Sequence, residues 1–190
     1  MTGLDFARAY IDDLLVISKG SLTDHLENLD EVFTRLEAAG LKINGDKSFF
    51  CRDELEYLGY WITRVGVQPV VKKVEGINSL AAPTKRKDLR QFLGLVNYYR
   101  DLWPRQSHIL APLTALTSTN DKFKWSQIEQ GAFDTMKKVM ACTTIRQYPD
   151  FNKPFHIYTD ARKVQLGAVI VQDDKPITFY SQKLLSLIHI

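Results

Sequence analysis

The sequence contains few residues of the kinds that build metal centres and disulfide frameworks. Its 190 residues include two cysteines and four histidines. Cys51 and Cys142 are far apart, and neither they nor the histidines have the spacing of a zinc site. These absences exclude a small disulfide-rich domain and favour reduced thiols. We therefore expect an intracellular protein.

Long hydrophobic runs and a strong charge of either sign are also missing. No apolar stretch approaches the roughly 20 residues that a membrane span needs, and residues 1–5 lack signal-peptide character, so we expect no membrane partner. The net charge of +3 permits a nucleic-acid partner without identifying one. With 45% hydrophobic and 25% charged residues, the composition fits one large globular domain or two small ones.

Two adjacent acids, Asp12 and Asp13, lie between apolar runs. The β-branched residues Val16 and Ile17 behind them favour a hairpin with both acids in its turn. Oxygen ligands of this kind suit Mg²⁺ or Mn²⁺. A polar hairpin turn without a metal is the alternative, because Asp also favours turns for local hydrogen-bonding reasons.

Apolar spacing predicts helices along the chain. Ser21 is expected to cap a helix that ends at Gly40, and the pair Ser126 and Glu129 has the spacing of a capping box. The apolar face of the first helix is predicted to comprise Leu22, Leu26, Leu29, Phe33 and Leu36, and that of the last helix Ile128, Ala132, Met136, Val139 and Met140. Three further helices are predicted over 69–80, over 85–103 with Thr84 as cap, and over 109–116. The apolar face of the second of these is predicted to comprise Leu89, Phe92, Leu93, Val96 and either Tyr99 or Arg100.

Alternation and turn residues predict strands. The first strand is expected over 5–10, and short strands over 41–44, 48–50, 55–62 and 65–67, with Gly59 bending the longest of them. An antiparallel meander is expected over 155–159, 166–171 and 176–180. Its second turn falls at Asp173 and Asp174.

The most basic segment runs from residue 83 to residue 110. It holds six Lys or Arg residues against two Asp residues. The predicted helix within it interleaves these cations with Asn97 and Tyr98, a mixture that suits a phosphate backbone. An ordinary solvated helix face is equally compatible with the pattern.

Taken together, these motifs resemble the reverse transcriptases of gypsy-class long-terminal-repeat retrotransposons. Tyr10-Ile11-Asp12-Asp13 resembles the Tyr-X-Asp-Asp box, and Glu56-Tyr57-Leu58-Gly59-Tyr60 resembles the primer-grip hairpin. The run from Leu89 to Arg100 is similar to the first thumb helix. Tyr158-Thr159-Asp160-Ala161 is similar to the opening of the ribonuclease H-like domain.

The resemblance implies an α+β fold in three parts. Residues 1–68 would be the C-terminal part of a polymerase palm, with hairpins and a helix. Residues 69–122 would form a helical thumb and connection, and residues 123–190 a truncated RNase H-like β-sheet. The implied parent is an RNA-directed DNA polymerase with ribonuclease H activity, which uses two Mg²⁺ or Mn²⁺ ions for nucleotidyl transfer.

The resemblance also implies roles for individual residues. The metal-binding, catalytic carboxylates would be Asp12, Asp13 and Asp160. Primer positioning would fall to Leu58, Gly59 and Tyr60, and contact with the incoming nucleotide to Tyr10 and Lys47. The duplex would be an RNA–DNA hybrid or DNA, and its contacts would be Lys85, Arg86, Arg90, Asn97, Tyr98 and Arg100.

The chain also departs from the family pattern. A third polymerase carboxylate is expected upstream of this chain, and three further nuclease acids are expected beyond residue 190. Arg162 stands where family members have Ser, and residues 185–190 fit no family pattern. We therefore expect an inactive fragment that needs the remaining polyprotein segments, with the parent element in a cytoplasmic particle or the nucleus. The alternative is a non-catalytic nucleic-acid-binding remnant of a decayed element.

Overall fold

The computed structural model describes residues 3–119, 122–142, 146–162 and 165–184. The chain divides into two compact units, Met1–Tyr57 and Leu58–Ile190. Helices and strands are mixed in both, so the α+β class expected from the sequence is confirmed. Among the described residues, no helix has the length and apolar character needed to cross a bilayer.

The first unit is a hairpin covered by one helix. Strands β1 (Ala7–Tyr10) and β2 (Asp13–Val16) pair antiparallel. Helix α1 (Leu22–Ala38) begins with the expected capping interaction, in which the Ser21 side chain accepts the backbone N–H of Asp24. A small core joins hairpin and helix, with buried residues Leu4, Ala7, Val32 and Leu36.

The apolar face of α1 is narrower than predicted. Leu29 and Leu36 are buried, but Leu22 and Leu26 are 63% and 51% exposed, and Val32 takes a core position instead. The physical reason is the partner: a two-stranded hairpin is too small to cover a whole helix face. Three of the five predicted residues, Leu22, Leu26 and Phe33, are therefore exposed.

The strands predicted over 41–44 and 48–50 are wrong. This segment forms a 3₁₀ turn at Gly45–Lys47. The Asn44 side-chain oxygen accepts the backbone N–H of Asp46 at 3.1 Å, and the Ser48 hydroxyl donates to the Asn44 carbonyl at 2.7 Å. Local bonds of this kind compete with strand pairing. Strand β3 (Leu55–Tyr57) then ends the unit.

In the described part of the second unit, four α-helices pack around one apolar core. They are α2 (Val71–Asn78), α3 (Arg86–Tyr98), α4 (Gln106–Ala115) and α5 (Gln127–Ala141). Phe92 of α3 and Phe133 of α5 pack with ring centroids 4.6 Å apart. The predicted face of α3 is confirmed as core, with Leu89, Phe92, Leu93, Val96 and Tyr99 all buried. On α5, Ile128 is exposed and Phe133 was missed.

Several helix boundaries differ from the predictions. Pro69 ends strand β5 (Gly66–Pro69), so α2 begins two residues later. The N-cap of α3 is Lys85 rather than Thr84, and it makes no side-chain capping bond. The Thr84 hydroxyl donates instead to the Asp88 carboxylate at 3.2 Å. Helix α3 also ends at Tyr98, where a 3₁₀ turn at Arg100–Leu102 takes over. Helix α4 begins three residues before the predicted Ile109.

Strands in this unit form antiparallel ladders. Strand β4 (Tyr60–Ile62) pairs with β5, which pairs with β6 (Arg146–Gln147). Strands β7 (His156–Arg162), β8 (Gln165–Gln172) and β9 (Lys175–Lys183) form the predicted meander. Both turn residues between β8 and β9, Asp173 and Asp174, adopt left-handed backbone angles. This conformation matches the twist of a two-residue hairpin.

Candidate nucleic-acid interface and metal-ligand positions

The acidic pair lies at the tip of the β1–β2 hairpin. Tyr10 pairs with Asp13, so the turn consists of Ile11 and Asp12, and Asp13 is the first residue of β2. The prediction that both acids lie in the turn is therefore wrong by one residue. Ile11 has a φ of 51° and is 84% exposed, an unusual conformation for a β-branched residue.

The surroundings of the pair are open to solvent. Asp12, Asp13 and Tyr10 are all exposed. Burial raises the pKa of the Tyr57 hydroxyl, and the negative charge of Asp13 raises it further. Tyr57 of β3 therefore lies near Asp13, a pairing that no local sequence pattern indicates. Lys47 lies in the separate, exposed 3₁₀ turn of the same unit.

The acidic pair offers few side chains that could bind a metal ion. In the ranges that the structure describes, no three or more His, Cys, Asp or Glu side chains are arranged to hold one ion. Asp12 and Asp13 offer the hard oxygen ligands that Mg²⁺ prefers, but only two of them on one hairpin. The residues present therefore fit a divalent ion in part.

The turn at Leu58 and Gly59 has an unusual backbone conformation. Both residues adopt left-handed angles, with φ of 48° and 76°. The bend predicted at Gly59 is thus a complete break, after which Tyr60 starts β4. Left-handed angles cost little for glycine but are disfavoured for leucine, so neighbouring contacts must hold the turn.

Two tyrosines at the end of α3 supply those contacts. The Tyr98 hydroxyl donates to the Leu58 carbonyl, and the buried Tyr99 hydroxyl donates to the Gly59 carbonyl at 2.9 Å. In return, the Tyr60 hydroxyl donates to the Tyr98 carbonyl at 3.0 Å. The turn and the end of α3 are therefore linked by three hydrogen bonds.

Ring packing reinforces these bonds. The ring centroids of Tyr60, Tyr98 and Tyr99 lie 4.9–5.6 Å apart, within the range of favourable aromatic pairs. Burial raises the pKa of the Tyr60 hydroxyl, and the charges of Tyr98 and Asp101 add to that effect. We call these three residues, with Leu58 and Gly59, the tyrosine clamp. Tyr99 was predicted only as an apolar position of α3, and its hydroxyl was the missed signal.

Two of the arginines predicted to bind phosphate have a structural role. The Arg86 guanidinium donates to the Leu116 carbonyl at 3.3 Å, and Arg90 donates to the Thr117 carbonyl at 2.9 Å. Both bonds satisfy carbonyl groups just beyond the end of α4, where a helix leaves its acceptors unpaired. A guanidinium has five N–H donors, so each arginine keeps donors for another acceptor.

The remaining predicted contacts are exposed on the same helix or just beyond it. Lys85 lies 3.9 Å from Asp88, and Arg100 lies 3.6 Å from Asp101. The Asn97 side-chain oxygen accepts a bond of 2.8 Å from Gln106. Exposed ion pairs of this length are weak, so both cations can turn to a polyanion.

Asp160 lies within β7 rather than at its end. It is exposed and pairs with Gly167 of β8 in the sheet. It borders a cleft of about 280 Å³ that also includes Arg105 and His108 of the α4 start. From the sequence, Arg105 was predicted only to be one of the cations of the basic segment. His108 was predicted to have no metal-binding role.

Two protein families match this chain. The family described as "Reverse transcriptase (RNA-dependent DNA polymerase)" matches residues 5–62. The family described as "RNase H-like domain found in reverse transcriptase" matches residues 125–187. The chain carries reverse transcriptase and RNase H-like regions.

The curated relatives of these regions are retrotransposon polyproteins. The chain is 40% identical over 176 residues to the Retrovirus-related Pol polyprotein from transposon 297 of Drosophila melanogaster. It is 35% identical over 190 residues to the polyprotein from transposon opus of the same organism, and 34% identical over 180 residues to the Transposon Tf2-3 polyprotein of Schizosaccharomyces pombe. Each match covers 92% of this chain but only 16%, 19% and 13% of the relative. The chain thus corresponds to one segment of these longer polyproteins.

Solved structures support the same assignment. The foamy viral protease-reverse transcriptase in complex with RNA/DNA hybrid is similar to 95% of this chain, with a TM-score of 0.81 and 25% identity. The same protein in complex with dsDNA gives a TM-score of 0.80 at 26% identity. This chain spans 25% and 38% of those chains.

The predicted site residues fall in different parts of this assignment. The reverse transcriptase region includes Asp12 and Asp13 as well as Leu58 and Gly59 of the tyrosine clamp. The RNase H-like region includes Asp160. Helix α3 lies between the two matched regions. The catalytic and binding roles of these residues remain predictions.

Proposed function

We propose that this chain is the part of a gypsy-class retrotransposon polymerase that grips the primer–template duplex. The activities of the whole protein would be RNA-directed DNA polymerisation and ribonuclease H cleavage, in an intracellular setting. The other polyprotein segments would be its protein partners. A non-catalytic binding remnant is not favoured by the matches to two enzyme-derived regions.

The tyrosine clamp is the observation that carries the proposal. A turn that positions a primer must keep its backbone at a fixed place relative to the surface that holds the duplex. The clamp ties the Leu58 and Gly59 carbonyls to α3 through Tyr98 and Tyr99. The same helix presents exposed basic residues. Turn and basic face therefore form one rigid element suited to a duplex backbone.

Solved relatives agree with this choice of ligand. The foamy viral enzyme, whose fold this chain shares, is described in complex with dsDNA and with RNA/DNA hybrid. Backbone contacts made by lysine and arginine do not depend on base sequence. We therefore infer that either duplex binds here.

Asp12 and Asp13 would hold a divalent ion, Mg²⁺ or Mn²⁺, and Asp160 would hold another in the RNase H-like region. Such ions stabilise the charge that develops during phosphoryl transfer. The carboxylates of this chain would bind and orient the ion from one side. Tyr10 and Lys47 would lie toward the incoming nucleotide.

Duplex binding by charge-neutralised variants tests the proposal. Lys85→Gln combined with Arg100→Gln removes two exposed cations of the α3 surface. Lys138→Gln combined with Lys175→Gln removes two exposed cations elsewhere in the same unit. Fluorescence anisotropy with a labelled primer–template should show binding weakened about 2–30-fold by the first pair and little changed by the second, at about 0.2–1 kcal/mol for each exposed contact. Equal losses from both pairs would contradict a defined duplex surface.

A further inference from the structure

The cleft beside Asp160 joins two elements of the second unit. Asp160, Gly167 and Ser181 are directly opposite one another on β7, β8 and β9, so their side chains share one sheet face. The backbone N–H of Ser107 donates to the Ser181 hydroxyl at 3.0 Å, which places the start of α4 against this face. Gln165 extends the contact by donating to the Ser107 hydroxyl at 2.8 Å. Asp160 therefore faces α4 across the cleft.

The α4 side of the cleft is basic. Arg105 and His108 both line it, and both are exposed. The His108 backbone N–H donates to the Arg105 carbonyl at 3.0 Å, which fixes the two residues one turn apart. Arg105 also has a left-handed φ of 54°. Strained non-glycine positions of this kind cluster at functional sites.

The guanidinium of Arg105 makes no contact that stabilises the described part of the fold. Arg86 and Arg90 donate to carbonyls of the fold, whereas no hydrogen bond or ion pair engages the Arg105 side chain among the described residues. Arg105 shares a cleft with a carboxylate and has an unfavourable backbone angle. Because its side chain makes no bond within the described fold, it is available to bind an external anion. Its planar donor fork matches phosphate oxygens.

The sheet side of the cleft suits a nucleotide chain. Tyr158 is 61% exposed and lies on the Asp160 face, directly opposite Val169. Gly167, directly opposite Asp160, has no side chain of its own, and an added Cβ would make only ordinary contacts with backbone oxygens, the nearest at 3.8 Å. Exposed tyrosine rings stack on bases or pack on sugars. The cleft thus combines a cation, a hydrogen-bond donor, an aromatic wall and a carboxylate.

We propose that Arg105 and His108 seat a backbone phosphate of a bound nucleic-acid strand in this cleft and so position that strand beside Asp160. The inference rests on the proposed function, which supplies the duplex. It adds a binding subsite built from α4, an element outside the matched RNase H-like region. A phosphate and the Asp160 carboxylate repel each other, and the fixed positive charge of Arg105 offsets that repulsion.

Equilibrium binding of a fluorescein-labelled RNA–DNA hybrid tests the subsite. Arg105→Asn removes the charge and keeps a residue that tolerates left-handed angles, and Arg105→Lys keeps the charge. Arg52→Asn, an exposed arginine of the first unit, is the matched control. We expect Arg105→Asn to weaken binding about 3–10-fold and to reduce the salt slope by about one. Arg105→Lys should restore most of the slope and His108→Gln should lose about twofold.

Crosslinking locates the strand independently. In a Cys51→Ser, Cys142→Ser background, Gly167→Cys carries a benzophenone label in the cleft, where an added Cβ would lie 3.8 Å from its nearest neighbour. Lys138→Cys on exposed α5 is the control position. The hybrid should crosslink at residue 167 and not at 138.

The outcomes separate the two proposals. If Arg105→Asn binds like Arg52→Asn, or if no crosslink forms at residue 167 while the hybrid still binds, the cleft subsite is overturned and the duplex surface stands. If the unaltered chain does not bind the hybrid at all, both proposals fall.

Discussion

Gly59 shows how a single residue fixes the geometry of the clamp. Its φ of 76° lies in a region that disfavours any Cβ. An added Cβ would also lie 3.1 Å from the Lys73 Nζ and 3.3 Å from the Tyr99 hydroxyl. The Tyr99 oxygen is buried and bonded to the Gly59 carbonyl at 2.9 Å, so it has little room to move. Backbone angle and space therefore both select glycine.

We predict that Gly59→Ala destabilises the second unit by about 1–2 kcal/mol, because the left-handed angle is penalised in alanine. Urea unfolding followed by circular dichroism measures this. Gly94→Ala is the control, since Gly94 lies in the exposed interior of α3 with no atom within 4 Å of an added Cβ. It should stabilise by up to about 1 kcal/mol. Equal effects of the two substitutions would show that the turn is not held as described.

Arg86 and Lys85 at the start of α3 are neighbouring cations with different surroundings. Arg86 is half-buried and bonded to the Leu116 carbonyl, whereas Lys85 is exposed and only 3.9 Å from Asp88. Arg86→Gln should therefore lower the free energy of unfolding by about 1 kcal/mol. Lys85→Gln should leave it within about 0.5 kcal/mol. Thermal denaturation compares them, and an unaffected Arg86→Gln variant would argue against the capping role.

At the scale of elements, helices α1 and α5 begin with reciprocal capping boxes. Ser21 and Asp24 form the first, and Ser126 and Glu129 the second. The Ser126 hydroxyl donates to the Glu129 carboxylate, and this bond holds the pKa of Glu129 below its ordinary value of 4.5. Because the folded pKa is lowered, the stabilisation is present above the ordinary value and is lost as the pH falls through the lowered pKa.

Ser126→Ala is predicted to lower the free energy of unfolding by about 1 kcal/mol at pH 7. The difference between the variant and the unaltered chain should shrink as the pH falls below 4.5, since protonated Glu129 no longer accepts from the cap. Urea midpoints measured from pH 7 to pH 3 follow both effects. A difference independent of pH would mean that the Glu129 carboxylate plays no part in the cap.

Sequence reasoning succeeded where local chemistry decides the element. Four local features were predicted correctly, because each depends on residues a few positions apart. They are the N-cap at Ser21, the capping box of Ser126 and Glu129, the core face of α3, and the turn at Asp173 and Asp174. The strands over 41–44 and 48–50 failed since the Asn44 and Ser48 side chains bond to the local backbone instead. The predicted burial of Leu22 and Leu26 was wrong for another reason. The helix sequence does not indicate how large the hairpin that covers the helix is.

In the candidate sites, too, local features were predictable from the sequence and long-range contacts were not. The residues of the primer-positioning turn were named from the sequence, but the tyrosine hydroxyls that hold it act across 40 positions. Likewise, Arg105 and His108 come to the cleft with Asp160 only through the packing of α4 on β9. Pairings of this kind depend on the tertiary fold, so no periodicity could have revealed them.

Across the whole molecule, the features suited to duplex binding are more complete than those suited to catalysis. Asp12 and Asp13 lie exposed on one hairpin, and the described residues hold no cluster of three metal-binding side chains. Two exposed carboxylates hold Mg²⁺ weakly, because the ion gives up its water shell reluctantly. We therefore predict no primer extension by this chain alone in a radiolabelled assay with Mg²⁺. Extension that Asp12→Asn abolishes would contradict this prediction.

We propose that this chain binds a primer–template duplex through the phosphate backbone of the duplex. The most direct test is the affinity for a labelled RNA–DNA hybrid measured across a range of salt concentrations. If several phosphates are neutralised, the logarithm of the association constant should fall linearly with the logarithm of the salt concentration, by about 0.9 for each contact on B-form DNA. A slope of about 3 to 5, reduced by about two in the Lys85→Gln, Arg100→Gln variant, is the predicted result. An affinity that does not change with salt would contradict the account.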